Sequence, residues 1–353
     1  LHSFPTRRSS DLERDLCGLE NMERHGCTVK VFKPIEENGI KYVIQLGDVF
    51  DRRKYVNYQT LKHAQEYFFK PLNEKYESWL LVGNHDTYYK NTNDVNSLSL
   101  LLNEYENIHQ VHKACEIGFD GTSILMVPWI CQDNQTQCIH AIQNTDADMI
   151  VGHFEISGFE MYRGAICDEG MDIKLFKEQV PVYSGHFHHK SKRGNVVYVG
   201  TPGEMTWADY NDERGFHILD TETRELTFIP NPHIMFHKMK YNDDEMFYND
   251  VVNADYSHLA GKYVKIVVEK RNNSFLFDTL IDCITKIVPL DLSVVEDFSE
   301  ITEGAADVEI DQAEDTITIL DKYVDGLTLP VESGKIKSIL REVYFEAMTL
   351  ENS

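Results

Sequence analysis

Short apolar runs rich in β-branched residues alternate along the chain with segments in which apolar residues recur at helical spacing. The runs have the length of buried strands, and the longer segments have the period of an amphipathic helix. Strands that alternate with helices predict a layered α/β domain. The predicted strands are Lys41–Leu46, Ser78–Val82, Ser123–Val127, Asp148–Val151, Val180–Ser184 and Val196–Val199, the predicted helices are Glu20–Asn38, Tyr58–Glu74, Asn96–Tyr105 and Gln135–Asn144, and Gly215–Ile229 is a predicted hairpin.

A second region with a different pattern begins near Phe236. A strand at Tyr263–Glu269 and an amphipathic helix at Phe275–Ile287 predict a small α+β domain. An acidic segment follows it, and Lys335–Met348 has the pattern of a closing amphipathic helix. The predicted divisions are residues 13–235 for the first domain, 236–290 for the second, 291–334 for a linker and 335–353 for a C-terminal helix that binds a partner.

Charge is distributed unevenly. Asp291–Asp325 contains twelve carboxylates and a single basic residue, Lys322. Such a segment is typical of a solvated spacer, and a docking surface is the alternative interpretation. The whole chain has 34 Lys and Arg against 58 Asp and Glu, a net charge of −24, which excludes a basic tail that binds nucleic acid. A local basic groove stays possible, because steering depends on where the charge lies.

The apolar fraction of 42% is enough for a sizeable core, but no run approaches the roughly 18 apolar residues of a membrane-spanning helix. The seven cysteines are scattered singly and form no Cys-x-x-Cys pair. This pattern argues against a thiolate zinc site or a disulfide scaffold and favours a reducing compartment.

The first twelve residues, LHSFPTRRSSDL, have neither hydrophobic periodicity nor the apolar core of a signal peptide. His2–Leu12 matches one translated reading frame of a common short-read sequencing adapter. We therefore expect residues 1–12 to be an assembly artefact, so that the natural N-terminus lies upstream. A phosphorylated serine/arginine tail is the alternative interpretation.

Four predicted strands run directly into Gly followed by a polar residue with metal-binding or acid–base potential. Each motif alone is typical of an ordinary turn, but ligands of α/β sheets bind beyond the carboxyl ends of the strands. Oxygen donors mixed with imidazoles suit manganese, iron or zinc rather than calcium. A carboxylate that bridges two such ions, about 3.5–4 Å apart, is typical of two-metal phosphoester hydrolysis. The motifs are GDVFD from Gly47, GNHD from Gly83, GHFE from Gly152 and GHFHH from Gly185.

The order of these motifs resembles that of the calcineurin-like metallophosphoesterase superfamily. The chain is most similar to its DNA-repair branch, the SbcD-type nucleases that pair with SbcC-type ATPases, and within it to the recombination endonuclease subunits of T-even-like tailed phages. The similar stretches span Asn38 to Asn231 and include VPWICQDN and GTPGEMTWADYNDERGFHILDTET. Phe50 and Asp86 depart from the GDxVDRG and GNHE of the protein-phosphatase branch. The resemblance implies an α/β/β/α sandwich with a small α+β capping domain.

The resemblance also implies two divalent metal ions, with manganese preferred and magnesium, iron or zinc as alternatives. Asp48 would bridge both ions, while Asn84, His153 and His186 would complete one site and His188 would hold the other. The family has an Asp-x-His motif at the end of its first strand, and nothing in residues 1–38 fits it. We expect that this motif was lost with the natural N-terminus, and that the chain as written is a poorer enzyme than its natural version.

The remaining candidates act beside the metals. His85 would contact a phosphate oxygen or protonate the leaving 3′ oxygen as a general acid. Asp51 would orient a ligand, and His189 is predicted to be an ordinary exposed histidine. Four basic residues next to the motifs are candidates for contacts with DNA phosphates, with solubilising surface residues as the alternative. These four are Lys90, Lys190, Lys192 and Arg193.

The resemblance thus implies a metal-dependent DNA exonuclease and endonuclease subunit of a recombination and repair complex. The implied partners are DNA and an SMC-like ATPase of the SbcC type, with a homodimer of the nuclease inside a heterotetramer and no membrane. The expected location is the cytoplasm, that of the bacterial host if a phage encodes the protein. Two alternatives stay open: a phosphodiesterase for cyclic or small nucleotides, and a metal-free adaptor that recruits the ATPase.

Overall fold

The computed structural model describes residues 39–162, 165–244 and 246–296, together with the single positions 324 and 337. Several predictions therefore lie outside the described residues. They are the artefact at residues 1–12, the helix at Glu20–Asn38, the linker beyond residue 296 and, apart from position 337, the C-terminal helix at 335–353.

The described chain forms two compact units that meet in sequence near His237. The first unit contains two sheets, two hairpins and several short helices. Its strands are β1 (Tyr42–Gln45), β2 (Glu77–Leu81), β3 (Ile108–Val111), β4 (Cys115–Phe119), β5 (Thr122–Val127), β6 (Met149–Gly152), β7 (Glu160–Tyr162), β8 (Ala165–Ile166), β9 (Val182–Ser184), β10 (Ser191–Arg193), β11 (Val196–Tyr198), β12 (Gly215–Leu219) and β13 (Leu226–Pro230). Its helices are α1 (Tyr58–His63), a π-helical turn (Ala64–Phe69), α2 (Lys70–Lys75), α3 (Ser97–Leu101) and α4 (Gln135–Asn144).

Parallel pairing places the carboxyl ends of the site-bearing strands together within each sheet. The first sheet has the order β1-β2-β3, and both of its strand pairs are parallel. The second has the order β10-β11-β9-β6-β5-β4, with parallel pairs at its centre and an antiparallel pair at each edge. Strands β7 and β8 form a hairpin between β6 and β9, and β12 pairs with β13.

The two sheets pack face to face because their strands bury apolar side chains on both surfaces. Trp79 and Leu81 on β2 belong to the same buried cluster as Met126 on β5. The alternate residues face outward toward helices: Leu80 packs with Leu72 of α2. On the other sheet, Leu125 packs with Ile142 of α4. The expected α/β/β/α sandwich is thus confirmed.

The second unit is built from three strands and two helices, β14 (Phe236–Asn242), α5 (Tyr248–Asn253), β15 (Tyr263–Lys270), α6 (Ser274–Thr285) and β16 (Asp291–Glu296). The Asn273 side chain accepts a hydrogen bond from the Leu276 backbone N–H and so begins α6. Leu280 of α6 packs with Ile266 of β15 in a separate core. This arrangement is the small α+β domain that the pattern predicts.

The acidic segment begins differently from the prediction. Asp291–Glu296, assigned above to a linker, forms β16 at the edge of the sheet of the second unit. Leu292 packs against the core of that unit. The strand begins and ends with an acidic residue, and apolar residues between polar ends suit a half-buried strand at the edge of a sheet. Strand β16 therefore belongs to the second unit. Among the described residues, no helix has the length and apolar character needed to cross a membrane.

Candidate metal centre

Four predicted ligands converge beyond the carboxyl ends of β1, β2, β6 and β9. His153 Nε2 lies 2.9 Å from Asn84 Oδ1 and 3.2 Å from Asp48 Oδ2. His186 Nδ1 lies 3.1 Å from the same Asn84 oxygen. One ligand atom from each of Asp48, His153 and His186 falls within 4.8 Å of the others. We call these four residues the acceptor cluster.

The tautomer of His153 shows why this cluster suits a cation. Its Nδ1 lies 2.6 Å from the carbonyl oxygen of Leu46. A carbonyl oxygen can only accept, so Nδ1–H is the donor and the lone pair of the neutral ring is on Nε2, facing Asn84 and Asp48. Neutral His153 would therefore place a lone pair against two oxygens. A divalent ion satisfies such a donor set, and the carbonyl bond to the far ring nitrogen is typical of metal-binding histidines.

The protonation tendencies fit that assignment. Burial would raise the pKa of Asp48, but the charge and hydrogen bond of His153 and the His85 N–H outweigh it and lower the pKa to about 2. Burial and the charge of His153 lower the pKa of His186 to about 3, so its ring is neutral near pH 7. Burial also lowers the pKa of His153, but the charge and hydrogen bond of Asp48 and the Leu46 carbonyl raise it overall. A proton and a metal ion thus compete for the lone pair of His153.

Asp86 holds the two loops that carry Asp48 and Asn84, a role that the sequence analysis missed. Its buried carboxylate accepts hydrogen bonds from the backbone N–H groups of Gly83 and Asp48, each at 2.9 Å. It also accepts from the backbone N–H groups of Val49 and Phe50. Burial and the charge of Asp48 raise its pKa to about 6, against the opposing effect of the Gly83 and Phe50 N–H groups.

Two glycines allow this close approach of the loops. Gly47 has φ +98°, and a Cβ atom there would lie 2.2 Å from His153 Nδ1. A Cβ atom on Gly83 would lie 2.2 Å from the backbone nitrogen and Oδ1 of Asp48. Neither position can carry a larger side chain unless the ligands move.

His85 lies beside the acceptor cluster and is partly exposed. Its backbone N–H donates to Asp48 Oδ1 at 2.8 Å, and its ring Nδ1 lies 2.5 Å from the carbonyl oxygen of Asp51. The Nδ1–H therefore donates to that carbonyl, and Nε2 is the nitrogen that can face a substrate. Asp51 thus touches His85 through its main chain, whereas its side chain is exposed.

His188 is outside the group formed by Asp48, His153 and His186 within the described residues. Its Nδ1 lies 3.6 Å from Asp209 Oδ1, and its side chain is 40% exposed. The charge of His188 contributes to lowering the pKa of His186. Asp209 is buried, and burial alone would raise its pKa, but the nearby His188 ring and the backbone N–H of Met205 help to lower it to about 2.

A buried arginine stabilises the segment that carries His188. One nitrogen of Arg214, Nη2, lies 2.8 Å from both Asp209 Oδ1 and Asp212 Oδ2, and another, Nη1, donates to the carbonyl of His188. His189 is half-buried, with 21% of its side chain exposed, rather than the exposed residue that was expected, and Asp212 Oδ2 lies 2.9 Å from its Nδ1. We call Arg214, Asp209, Asp212 and His189 the arginine network.

Trp129 is a further residue that the analysis of motifs left without a role. Its ring centroid lies 5.3 Å from that of His186 and 6.0 Å from that of His153. Its backbone N–H donates to the Val82 carbonyl, next to the loop of Asn84. Trp129 therefore forms an apolar wall of the site.

The four basic candidates differ in their surroundings. Lys90, Lys192 and Arg193 are exposed. Lys190 Nζ instead lies 2.9 Å from Glu213 Oε2 and 3.1 Å from the centroid of the Phe228 ring. Lys190 is thus held by contacts within the chain, while the other three are accessible to a ligand.

Comparison with known proteins agrees with the site. The model of the calcineurin-like phosphoesterase family matches residues 21–190. The chain belongs to this family, whose members are phosphoester hydrolases that use divalent metal ions. It is 31% identical over 316 residues to Exonuclease subunit 1 of Enterobacteria phage T4, across 88% of this chain and 89% of that protein.

A second relative is more distant. The chain is 25% identical over 228 residues to the SbcD component of the nuclease SbcCD of Staphylococcus epidermidis, across 58% of this chain and 56% of that protein. A solved archaeal phosphodiesterase matches with a TM-score of 0.31 and 14% identity, across 58% of this chain and 91% of that one. The family assignment depends on the phage relative, which is similar along most of its length.

Proposed function

We propose that this chain is the nuclease subunit of a DNA recombination and repair complex, and that it hydrolyses DNA phosphodiester bonds with two divalent metal ions, preferably manganese. The observation that carries the proposal is the acceptor cluster. Its four atoms come from four strand ends, and one of its histidines has its lone pair fixed toward two oxygens. Imidazole with carboxylate and amide oxygens is a donor set suited to manganese, iron or zinc.

The ligands divide between the two ions. Asn84, His153 and His186 would hold one ion, His188 would hold the other, and Asp48 would be shared between them. Ions held by these residues would supply an activated water as nucleophile and would screen the charge on the phosphate oxygens. Asp209 fixes the ring of His188 through Nδ1, and the hydrogen bond from the His85 N–H fixes Oδ1 of Asp48.

His85 acts on the leaving group. The Asp51 carbonyl holds its Nδ1–H, so that Nε2–H of the protonated ring can be donated to the departing 3′ oxygen. The backbone N–H of the same residue contacts Asp48. The general acid therefore keeps a fixed place relative to the bridging carboxylate. Exposed Lys90, Lys192 and Arg193 would contact DNA phosphates and position the substrate.

The names of the two relatives support a partner. One is named as a subunit of an exonuclease, and the other as a component of the nuclease SbcCD. We infer that this chain likewise pairs with an SbcC-type ATPase, as a nuclease dimer within a heterotetramer in the bacterial cytoplasm. The segment beyond Glu296 would provide the contact with the ATPase, and truncation after Glu296, which keeps β16 in the sheet of the second unit, should abolish its co-purification while leaving phosphodiester hydrolysis.

A cleavage assay tests the function. The protein is incubated with manganese and either linear double-stranded DNA, a cyclic nucleotide or a small aryl phosphodiester. We expect DNA cleavage that chelation abolishes and that Asp48→Asn lacks. Hydrolysis of the small diesters alone would indicate a small-nucleotide phosphodiesterase. If no substrate is cleaved while the ATPase still binds, the chain is an adaptor and the proposed function is wrong.

A further inference from the structure

Exposed tyrosines concentrate beside the metal centre. Among the residues whose exposure the structure describes, five tyrosines are exposed, and four of them follow the GDVFD and GNHD motifs. Tyr58 is 91% exposed and Tyr55 is 61% exposed, although an aromatic ring of this size is usually buried at least in part. The four are Tyr55, Tyr58, Tyr88 and Tyr89.

These tyrosines lie on two segments, residues 52–58 and 88–90. Hydrogen bonds at the start of each segment connect it to the site. We call the two segments together the tyrosine rim. Arg53 Nη1 donates to Thr87 Oγ1 at 3.4 Å, and the Asp51 carbonyl contacts the ring of His85 at 2.5 Å. The loop beyond Thr87 is closed by a backbone bridge between Thr87 and Asn96. The rim therefore begins within three residues of His85 on one side and of Asp51 on the other.

The tyrosines are interleaved with positive charge. The rim has the sequences RRKYVNY and YYK, which contain four basic residues and no acidic residue in a chain of net charge −24. Arg52 Nη1 donates to the Tyr55 hydroxyl at 2.6 Å, and its guanidinium lies 5.5 Å from the centre of the Tyr55 ring. Lys54 and Lys90 are exposed. A positive surface next to a phosphoester site favours a polyanion as the ligand.

We propose that the tyrosine rim binds an unpaired nucleic-acid strand and leads it to the metal centre. This inference depends on the proposed function for its choice of ligand. Rings stack on bases whose faces are open, whereas each base inside a duplex is covered by its neighbours, so the rim selects unpaired ends, gaps and loops. Lys54 and Lys90 contact the phosphates between the stacked bases.

The geometry of one pair of tyrosines limits how many bases can stack on it. The rings of Tyr88 and Tyr89 are 4.7 Å apart between centroids and inclined at 74°. A base that stacks on one ring therefore meets the other ring at its side. Such a corner holds one base rather than a column of bases. Tyr55, which lies on the other segment and is held by Arg52, provides a separate stacking surface.

Binding is measured by fluorescence anisotropy with labelled oligothymidine of about 15 nucleotides, the upper range of single-strand site sizes, and with a blunt hairpin duplex. Chelator is present, so that neither substrate is cut. The variants are Tyr88→Leu with Tyr89→Leu, the same pair changed to Phe, and Tyr55→Leu. Tyr248→Leu is the matched control, because Tyr248 is 50% exposed and belongs to the second unit.

We expect each Tyr→Leu change to weaken single-strand binding by at least about fivefold, since stacking contributes roughly 1–3 kcal/mol per base. The Phe variants and Tyr248→Leu should bind like the wild type, because stacking needs the ring and not the hydroxyl. Lys54→Gln should lower the slope of log K against log salt by about 0.7, the value for one phosphate of a single strand.

Four results would overturn the inference. They are unchanged binding by the Leu variants, equal losses in the Phe and Leu variants, equal losses on the blunt duplex, and retained strand binding with loss of the ATPase partner. The last result would identify the rim as a protein-docking surface. Because the assay needs no metal, oligothymidine binding that depends on the rim would survive even if DNA hydrolysis, and with it the proposed function, failed.

Discussion

The acceptor cluster and the arginine network are both buried groups of acidic and imidazole side chains, but only one contains its own permanent cation. In the arginine network, the guanidinium of Arg214 lies 2.8 Å from two carboxylates. In the acceptor cluster, the charge of Asp48 is met by His153, whose fixed tautomer leaves a lone pair pointing inward. A buried charge needs a partner. The charges of the network are therefore paired within the chain, whereas the cluster would be completed by an ion from solution.

The largest effect is expected from Asp48→Asn, which removes the only carboxylate of the acceptor cluster. Loss of charge stabilisation worth several kcal/mol should reduce DNA cleavage by about 10³-fold or more. In the wild type, manganese at 100 times its Kd should stabilise the fold by about 2.7 kcal/mol, and the variant should lack this gain. Thermal unfolding with and without manganese measures it. Asp146→Asn is the control, because Asp146 is exposed. This variant should keep both DNA cleavage and the stabilisation by manganese.

The next largest effect is expected from His85→Ala, which tests whether His85 is a metal ligand or a general acid. His85→Ala should reduce single-turnover cleavage by about 10²–10⁴-fold, as expected for loss of a general acid. Its metal content should stay near that of the wild type, because the backbone N–H that contacts Asp48 is retained. Metal analysis beside the cleavage assay measures both. Metal lost in proportion to activity would make His85 a ligand.

Arg214→Leu tests the arginine network, the group that contains its own cation. It leaves buried Asp209 and half-buried Asp212 without their cation and should lower the free energy of unfolding by about 3–5 kcal/mol. Urea unfolding measures the change. Arg224→Leu is the control, since Arg224 also pairs with an aspartate but is 51% exposed, and it should cost at most about 1 kcal/mol. Similar losses of unfolding free energy in the two variants would show that the arginine network stabilises the fold no more than an exposed ion pair does.

The smallest effect concerns the contact between Asp209 of the arginine network and His188, the proposed ligand of the second ion. Asp209→Asn should weaken metal binding or activity by about 10–100-fold, because Asp209 orients His188. Asp212→Asn is a matched control: Asp212 also contacts Arg214, but it faces His189. Manganese titration of the two variants compares them. Equal affinities would mean that His188 does not hold an ion through this contact.

Local sequence patterns identified the elements and most of the candidate ligands. Helix α4 has the predicted bounds, and the GDVFD and GNHD motifs lie at the ends of adjacent parallel strands. Such features depend on periodicity and on the turn that follows a strand. Arg214 and Asp209 were missed because their roles come from contacts with a loop about twenty residues earlier in the chain. Nothing in WADYNDERG marks which of its charges become buried.

The packing around Gly47 and Gly83 has a consequence for how the gene tolerates change. Neither glycine has a side chain that could take part in the reaction, yet any side chain at either position would displace an atom of a metal-binding residue. In a library that samples every substitution under selection for activity, these two codons should be depleted as completely as that of Asp48. Their losses would be visible in assays of turnover and, because the added Cβ atom would lie 2.2 Å from its neighbours, in assays of folding as well. An engineer who grafts this centre onto another scaffold must transfer the two glycines along with the ligands.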